Sequence, residues 1–99
     1  MTVEFSAEVF EWRGPAPFHF LRIAGDDAEE VADLGRGVSY GWGMVPVDAE
    51  IGATRWTTSL WPKDGGYLLP LKDAVRDREG IAIGDRITAR VMVRDPGGR

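Results

Sequence analysis

The chain turns at Pro62-Lys63-Asp64-Gly65-Gly66, between two apolar stretches. Proline fixes φ, and glycine reaches positive φ without a steric cost, so this run is a strong turn signal. Before it, residues 54–61 alternate, with Trp56, Thr58 and Leu60 on one side. After it, residues 67–71 are typical of a short buried strand. The sequence therefore predicts two antiparallel strands joined at this turn.

Working outward, residues 45–51 alternate and end at Gly52-Ala53. A two-residue Gly-X connection favours a type II′ hairpin, so this strand should pair with residues 54–61. Pro46 lacks a backbone donor and predicts an edge strand or a bulge. Alternation also predicts strands over residues 3–12, 18–23 and 86–94.

Two short helices are predicted between the strands. The first follows Gly25, with Asp26 as N-cap, Glu29 completing a capping box and Gly35 as the C′ stop. The second covers residues 72–79 and ends at Gly80.

About six strands and two helices result, and the order strand, helix, strand occurs twice, in residues 18–51 and 67–93. Two such units closing on each other predict a mainly β, pseudo-twofold barrel, which also removes exposed strand edges. An open sandwich and an α+β roll are the alternatives. We expect one domain over residues 1–94 and a frayed tail over residues 95–99.

The composition limits the chemistry. With 99 residues, the chain is long enough for one hydrophobic core. It has no cysteine and one histidine, His19, so a single chain cannot assemble the usual zinc ligand sets. We predict no metal and no cofactor. The sequence shows no targeting segment or membrane span, and we expect a soluble, cytoplasmic protein.

Charge is unevenly distributed along the chain. Residues 1–50 carry ten acids and three bases, and residues 51–99 carry six acids and nine bases, which gives −7 and +3 and the net −4 of the whole chain. A basic face in the second half would suit nucleic acid, whereas interleaved halves would mix the charges on the surface. The second arrangement is favoured.

Candidate binding residues gather around two turns. Aromatic groups at turns often line a groove, and glycine-rich turns flanked by cations can hold an anion. The same tryptophans could serve the core, and the same glycines a structural hairpin. The predicted ligand-binding set is Trp42, Trp61, Lys63, Tyr67, Lys72 and Arg76.

A resemblance to a known family rests on three motifs. They are residues 41–47, the Ser-Leu-x-Pro-x-x-Gly-Gly-Tyr run of residues 57–72, and Val75-Arg76 followed by Gly84-Asp85-Arg86-Ile87-Thr88. Over nearly its whole length the chain resembles an uncharacterised prokaryotic family, domain of unknown function nineteen-zero-five. The resemblance implies a double-split β-barrel, distantly similar to AbrB-type regulators and MazE-type antitoxins, and it implies no activity. AbrB-type proteins contribute one half-barrel per chain and dimerise on DNA, whereas this chain carries both halves.

Three functions follow, in order of preference. The first is a non-catalytic binding or interaction module for a small molecule or a protein, active as a monomer or weak homodimer. The second is a nucleic-acid-binding barrel of AbrB-like type. The third is a small enzyme using His19 as general acid or base, although no serine or carboxylate motif lies near it in sequence. We assign no catalytic residue.

Overall fold

The computed structural model describes residues 2–12 and 18–94. The predicted tail over residues 95–99 and the Gly14-Pro15-Ala16-Pro17 segment before the second strand lie outside these residues. Within them, seven strands and two helices follow in the order β1 (Thr2–Glu8), β2 (Phe10–Trp12), β3 (Phe18–Ile23), α1 (Gly25–Gly35), β4 (Val45–Ile51), β5 (Thr54–Lys63), β6 (Gly66–Leu71), α2 (Asp73–Glu79) and β7 (Arg86–Val93).

The seven strand segments form one antiparallel sheet in the order β1-β7-β4-β5-β6-β3-β2. Its two edge segments, β1 and β2, are separated in sequence only by Val9. The sheet must therefore curl so that its two edges come close together. The prediction of one strand over residues 3–12 is corrected here. Val9 leaves the ladder because its backbone bonds instead to Gly84 and Asp85 in the loop before β7. The mainly β, barrel-like prediction is confirmed.

The predicted internal symmetry appears in the strand pairing. β3 of the first unit pairs with β6 of the second, and β4 pairs with β7. The first strands of the two units therefore lie side by side, and so do their second strands. Each helix connects the first strand of its unit to the second. This pairing is what two interlocked strand-helix-strand units require.

β5 joins the two halves of the sheet. Its residues 54–60 pair with β4, and its residues 61–63 pair with β6. The strand thus changes neighbours between Leu60 and Trp61. Beyond this point β5 and the end of β6 have no ladder bonds to each other, and the sheet is split.

Two tight turns fix the register of these strands. The turn between β5 and β6 consists of Asp64 and Gly65 alone, with φ values of 50° and 79° that match type I′. Pro62 and Lys63 belong to β5 and Gly66 to β6, so the turn is shorter than predicted. At the other end Gly52 has φ of 56° and Ala53 does not have positive φ, which agrees with the predicted type II′ turn.

The core lies inside the curled sheet, under α1. Alternate residues of β1, β4, β5 and β7 point inward, including Val3, Val47, Leu60 and Val91, each no more than 2% exposed. Val31 of α1 is fully buried against them. Burying side chains of this size contributes about 1.5–3 kcal/mol each.

Pro46 is not on an edge strand, because β4 lies between β5 and β7. The carbonyl of Pro46 accepts a hydrogen bond from the Arg94 N–H, one residue beyond the end of β7. The N and C=O of a strand residue point to the same side, so the missing donor also faces the end of β7. The proline is tolerated because its partner strand stops there.

The predicted caps of α1 are wrong. The helix begins at Gly25, the capping position is Ala24, and no side chain caps it. Asp26 and Asp27 lie inside the first turn, where acids favour the helix dipole without accepting a cap hydrogen bond. Gly35 is helical and buried, and a Cβ there would come within 3.0 Å of Val45. Close packing therefore explains this glycine. In α2 the predicted stop is confirmed, since Gly80 is left-handed with φ of 63°.

Gly66→Ala is expected to destabilise the domain. A Cβ at Gly66 would lie 2.4 Å from the Ile23 carbonyl oxygen, and a backbone atom on a paired strand cannot move aside cheaply. We expect a loss of about 1–3 kcal/mol of unfolding free energy, measured by urea denaturation. Gly65→Asn is the control, because nothing lies within 4 Å and asparagine tolerates positive φ. Equal stability of the two variants would contradict the close approach.

Candidate functional site

The structure divides the six predicted binding residues between two clefts. Trp42, Lys63 and Tyr67 line one cleft of about 520 Å³, between α1 and the β5–β6 hairpin. A second cleft of about 470 Å³, between β3, β5, β6 and the start of α2, is lined by the rest, which are Trp61, Lys72 and Arg76. We call these the hairpin cleft and the split cleft.

The hairpin cleft is open and partly acidic. Ala28 and Ala32 of α1 form one side, and Glu29 and Asp64 bring carboxylates to it. Trp42 lies at the tip of a loop closed by the Tyr40–Met44 bridge, and it is 95% exposed. Its indole therefore has little fixed contact with the cleft that it borders.

Lys63 is engaged outside the hairpin cleft. Its ammonium group lies 4.4 Å from the centroid of the Trp12 ring, on the sheet face opposite the core. The neighbouring Arg22 donates to the carbonyl oxygens of Lys63 and Asp64 at 3.2 and 3.0 Å. These contacts hold the turn in place, which is a structural role.

The split cleft occupies the gap where β5 leaves β6. Because the sheet is open there, residues of both its faces reach one space, including His19 and Thr58 from the inner face and Trp61 from the outer face. At the other strand crossing, at Val9, backbone hydrogen bonds to Gly84 and Asp85 fill the corresponding position. The two halves of the fold therefore differ within the described residues, since the crossing in β5 is lined by side chains of a cleft and the crossing at Val9 is bonded to backbone.

Aromatic rings build one wall of the split cleft. Trp61 meets Phe18 and Phe20 edge-on, with centroid distances of 5.6 and 5.2 Å. Phe20 is only 1% exposed, although it lies outside the main core, while Phe18 is 44% exposed. The cluster therefore has a fixed base and an exposed edge. The side chain of Trp61 is held in position by its packing.

His19 contributes an unsatisfied polar atom. Its Nδ1 is buried and has no hydrogen-bond partner in the structure. The side chain reaches the cleft because His19 pairs with Leu71 of β6. A buried polar nitrogen without a partner costs about 1–3 kcal/mol, so a ligand able to bond to it would recover that free energy.

Two cations stand on the α2 side of the split cleft. Arg76 forms an ion pair with Asp73 and has a side chain only 21% exposed. The side chain of Lys72, just before α2, is exposed and makes no ion pair or hydrogen bond with the described residues. The cleft thus combines an apolar body with cations at one end.

The described residues hold no cluster of three or more metal-ligating side chains. Within the same ranges, neither helix is long and apolar enough to cross a membrane. His19 has no nucleophile or carboxylate bonded to its Nδ1. No observation on residues 2–12 and 18–94 favours the enzyme alternative.

Two bases of β7 are matched by acids across the strands. On the outer face of β7, Arg90 stands between Glu4 of β1 and Glu50 of β4, and Arg86 stands opposite Glu8. Arg90 donates two hydrogen bonds to Glu50 Oε1, at 2.9 and 2.5 Å. The charges therefore mix on this face, as the favoured interpretation of the charge pattern expected. They do not form the basic patch that the nucleic-acid alternative needs.

A family comparison adds to this geometry. The family model described as Domain of unknown function (DUF1905) matches residues 5–91, which is most of the chain. The chain belongs to the DUF1905 family. No curated protein matches it significantly. The match covers every strand that lines the split cleft, and it carries no assigned activity into this DUF1905 domain.

Sequence reasoning missed that His19, Phe18 and Thr58 share a cleft with Trp61. His19 was considered alone, because its cleft neighbours on β5, β6 and α2 are 39 or more positions away in sequence. The strand register that unites them depends on which strands pair, and strand alternation alone does not specify that.

The salt bridge of Glu50 predicts a pH dependence of stability. Hydrogen bonds from Arg90 lower the pKa of Glu50 below its ordinary value of 4.5, with a smaller lowering from Arg55 and an opposing effect of desolvation. A lowered folded-state pKa contributes stability above the unfolded-state value, and that contribution is lost as the pH falls through the folded-state pKa. Arg90 stays protonated throughout this range.

We therefore expect Glu50→Gln to lower the urea midpoint most at about pH 7 and progressively less from about pH 5 downward. Glu30→Gln, at an exposed position on α1, is the control. A deficit of Glu50→Gln that stays constant down to about pH 2 would mean that the Glu50 charge is not what stabilises the fold.

Proposed function

We propose that this domain is a non-catalytic binding module, and that the split cleft takes a small molecule with a flat apolar body and an acidic group. The observation that carries the proposal is the open strand crossing in β5, where one space collects an aromatic wall, a buried unpaired nitrogen and two cations. Ligand sites in proteins combine apolar lining with a few placed polar groups in this way.

The apolar part of the ligand would lie against the aromatic wall. Trp61 and Phe18 offer ring faces and edges, and Pro70 and Leu71 continue the apolar surface along β6. Because Trp61 is fixed by Phe20, little side-chain entropy is lost when a ligand packs against it.

The acidic part would lie toward α2. Lys72 has no competing partner among the described residues, and Arg76 keeps guanidinium donors beyond those used on Asp73 and the Leu71 carbonyl. His19 Nδ1 would accept or donate a hydrogen bond, according to its tautomer. A carboxylate is the group that these partners recognise together.

A matched pair of probes tests this assignment. 2-Naphthoate and 2-naphthylmethylamine share a two-ring body and carry opposite charges. The chain has four tryptophans, whose indole N–H signals can be followed by heteronuclear NMR. We expect 2-naphthoate to shift the Trp61 signal saturably, and the amine to bind at least about tenfold more weakly.

Variants separate the cleft from the rest of the surface. Trp61→Ala and Arg76→Gln should each weaken 2-naphthoate binding about tenfold, provided that thermal denaturation shows both to be folded. Trp42→Ala is the matched aromatic control in the hairpin cleft and should bind normally. Equal binding of acid and amine, no binding of either, or a shift confined to Trp42 would each reject the split cleft as the site.

A further inference from the structure

A smaller pocket lies on the other side of α2. It has a volume of about 170 Å³, between the β4–β5 hairpin and the helix, and is lined by Trp56 and Val75 and by three cations, Arg55, Lys72 and Arg78. We call it the helix pocket. Only Lys72 also belongs to the split cleft.

Trp56, one of the lining residues, carries an unsatisfied donor. The residue is 9% exposed and lies on the inner face of β5, opposite Ala49. Its Nε1 is buried and has no hydrogen-bond partner in the structure. An indole nitrogen is a donor only, so the group that would satisfy it must be an acceptor.

The charges around the pocket are poorly neutralised. The side chains of Lys72 and Arg78 make no ion pair or hydrogen bond with the described residues. Arg55 approaches Glu50 only at 3.6 Å, and Glu50 is bonded more closely to Arg90. Three cations around one small space repel each other unless an anion lies between them.

Glu79, which follows Arg78 in α2, has a structural role. The Glu79 carboxylate accepts a hydrogen bond of 2.6 Å from Thr54 Oγ1 and packs against Gly52 at the hairpin turn. It therefore ties α2 to the end of the β4–β5 hairpin. Its charge does not line the helix pocket.

We propose that the helix pocket binds a phosphate group, through the Trp56 indole N–H and the charges of Arg55, Lys72 and Arg78. The donor and the cations call for the same ligand chemistry, a compact oxyanion with several acceptor oxygens. The group would be either inorganic phosphate or the phosphate of a small phosphomonoester. This site shares only Lys72 with the split cleft, and the two sites have different reporting tryptophans.

NMR of the indole signals tests the proposal directly. Sodium phosphate and glycerol 3-phosphate are titrated at constant ionic strength, with sodium chloride as the reference, and Trp56→Phe assigns the Trp56 signal. We expect a saturable downfield shift of that signal, because the indole N–H gains a charged acceptor. Tighter binding of glycerol 3-phosphate would identify a phosphomonoester site, and equal or weaker binding a site for free phosphate.

Charge variants distinguish phosphate binding at this pocket from nonspecific attraction of anions to the protein surface. Arg78→Gln should weaken phosphate binding about tenfold or more. Arg36→Gln removes the same charge from an exposed position after α1 and should leave binding unchanged. Trp56→Phe, which keeps most of the apolar volume, should abolish the stabilisation by phosphate seen in thermal denaturation.

Four results would overturn the phosphate site. The first is a Trp56 signal that phosphate moves no more than chloride does. The second is equal weakening by Arg78→Gln and Arg36→Gln, and the third is full phosphate affinity in folded Trp56→Phe. A phosphate-induced shift of Trp61 without a shift of Trp56 would also overturn it, because it would place the anion in the split cleft.

Discussion

The pairing of β5 with two different neighbours is the constraint on which the rest of the domain depends. The strand is held in register by a type II′ turn before it and a type I′ turn after it, and both turns twist in the sense of the strands they join. Between them β5 passes from β4 to β6 at Leu60. At this crossing Leu60 packs into the core, and the next residue, Trp61, lines the split cleft.

The two halves of the fold use their strand crossings differently. At Val9 the chain also passes from one half of the sheet to the other, but the loop before β7 bonds to its backbone. The symmetric topology therefore carries an asymmetric surface. Both sites that we propose lie beside α2, the helix of the second unit, and the corresponding helix α1 packs on the core with Ala28 and Val31.

The distribution of charge on the surface also depends on which strands pair. The acids of the first half and the bases of the second half become neighbours because β7 lies between β1 and β4. Cations left outside this arrangement, above all Lys72 and Arg78, lie beside α2 and face the clefts. The distribution of charge along the chain did not indicate which bases these would be.

The sequence by itself determined the elements, because their signals are local. Alternation marked the strands, turns containing glycine marked the two hairpins, and Gly80 marked the end of α2. Local reasoning failed where the deciding contact is distant, as at Gly35, whose packing against Val45 gives no sign in the neighbouring residues. The prediction of an edge strand at Pro46 failed for the same reason. β7 ends beside Pro46, so the missing N–H of the proline leaves no partner unsatisfied, and nothing in the neighbouring sequence indicates this.

The tertiary structure alone decided which functional side chains share a space. Six candidate residues chosen around two turns were separated into two clefts, and His19 joined Trp61 only through the pairing of β3 with β6. Trp56 was predicted to share one side of its strand with Thr58 and Leu60, and that side faces the core, yet the missing partner of its indole N–H is visible only in the packed core. The physical reason is that strand formation depends on residues that are close in sequence. Strand register, and the partners of charged and polar side chains, depend on strands that the chain brings together from far apart.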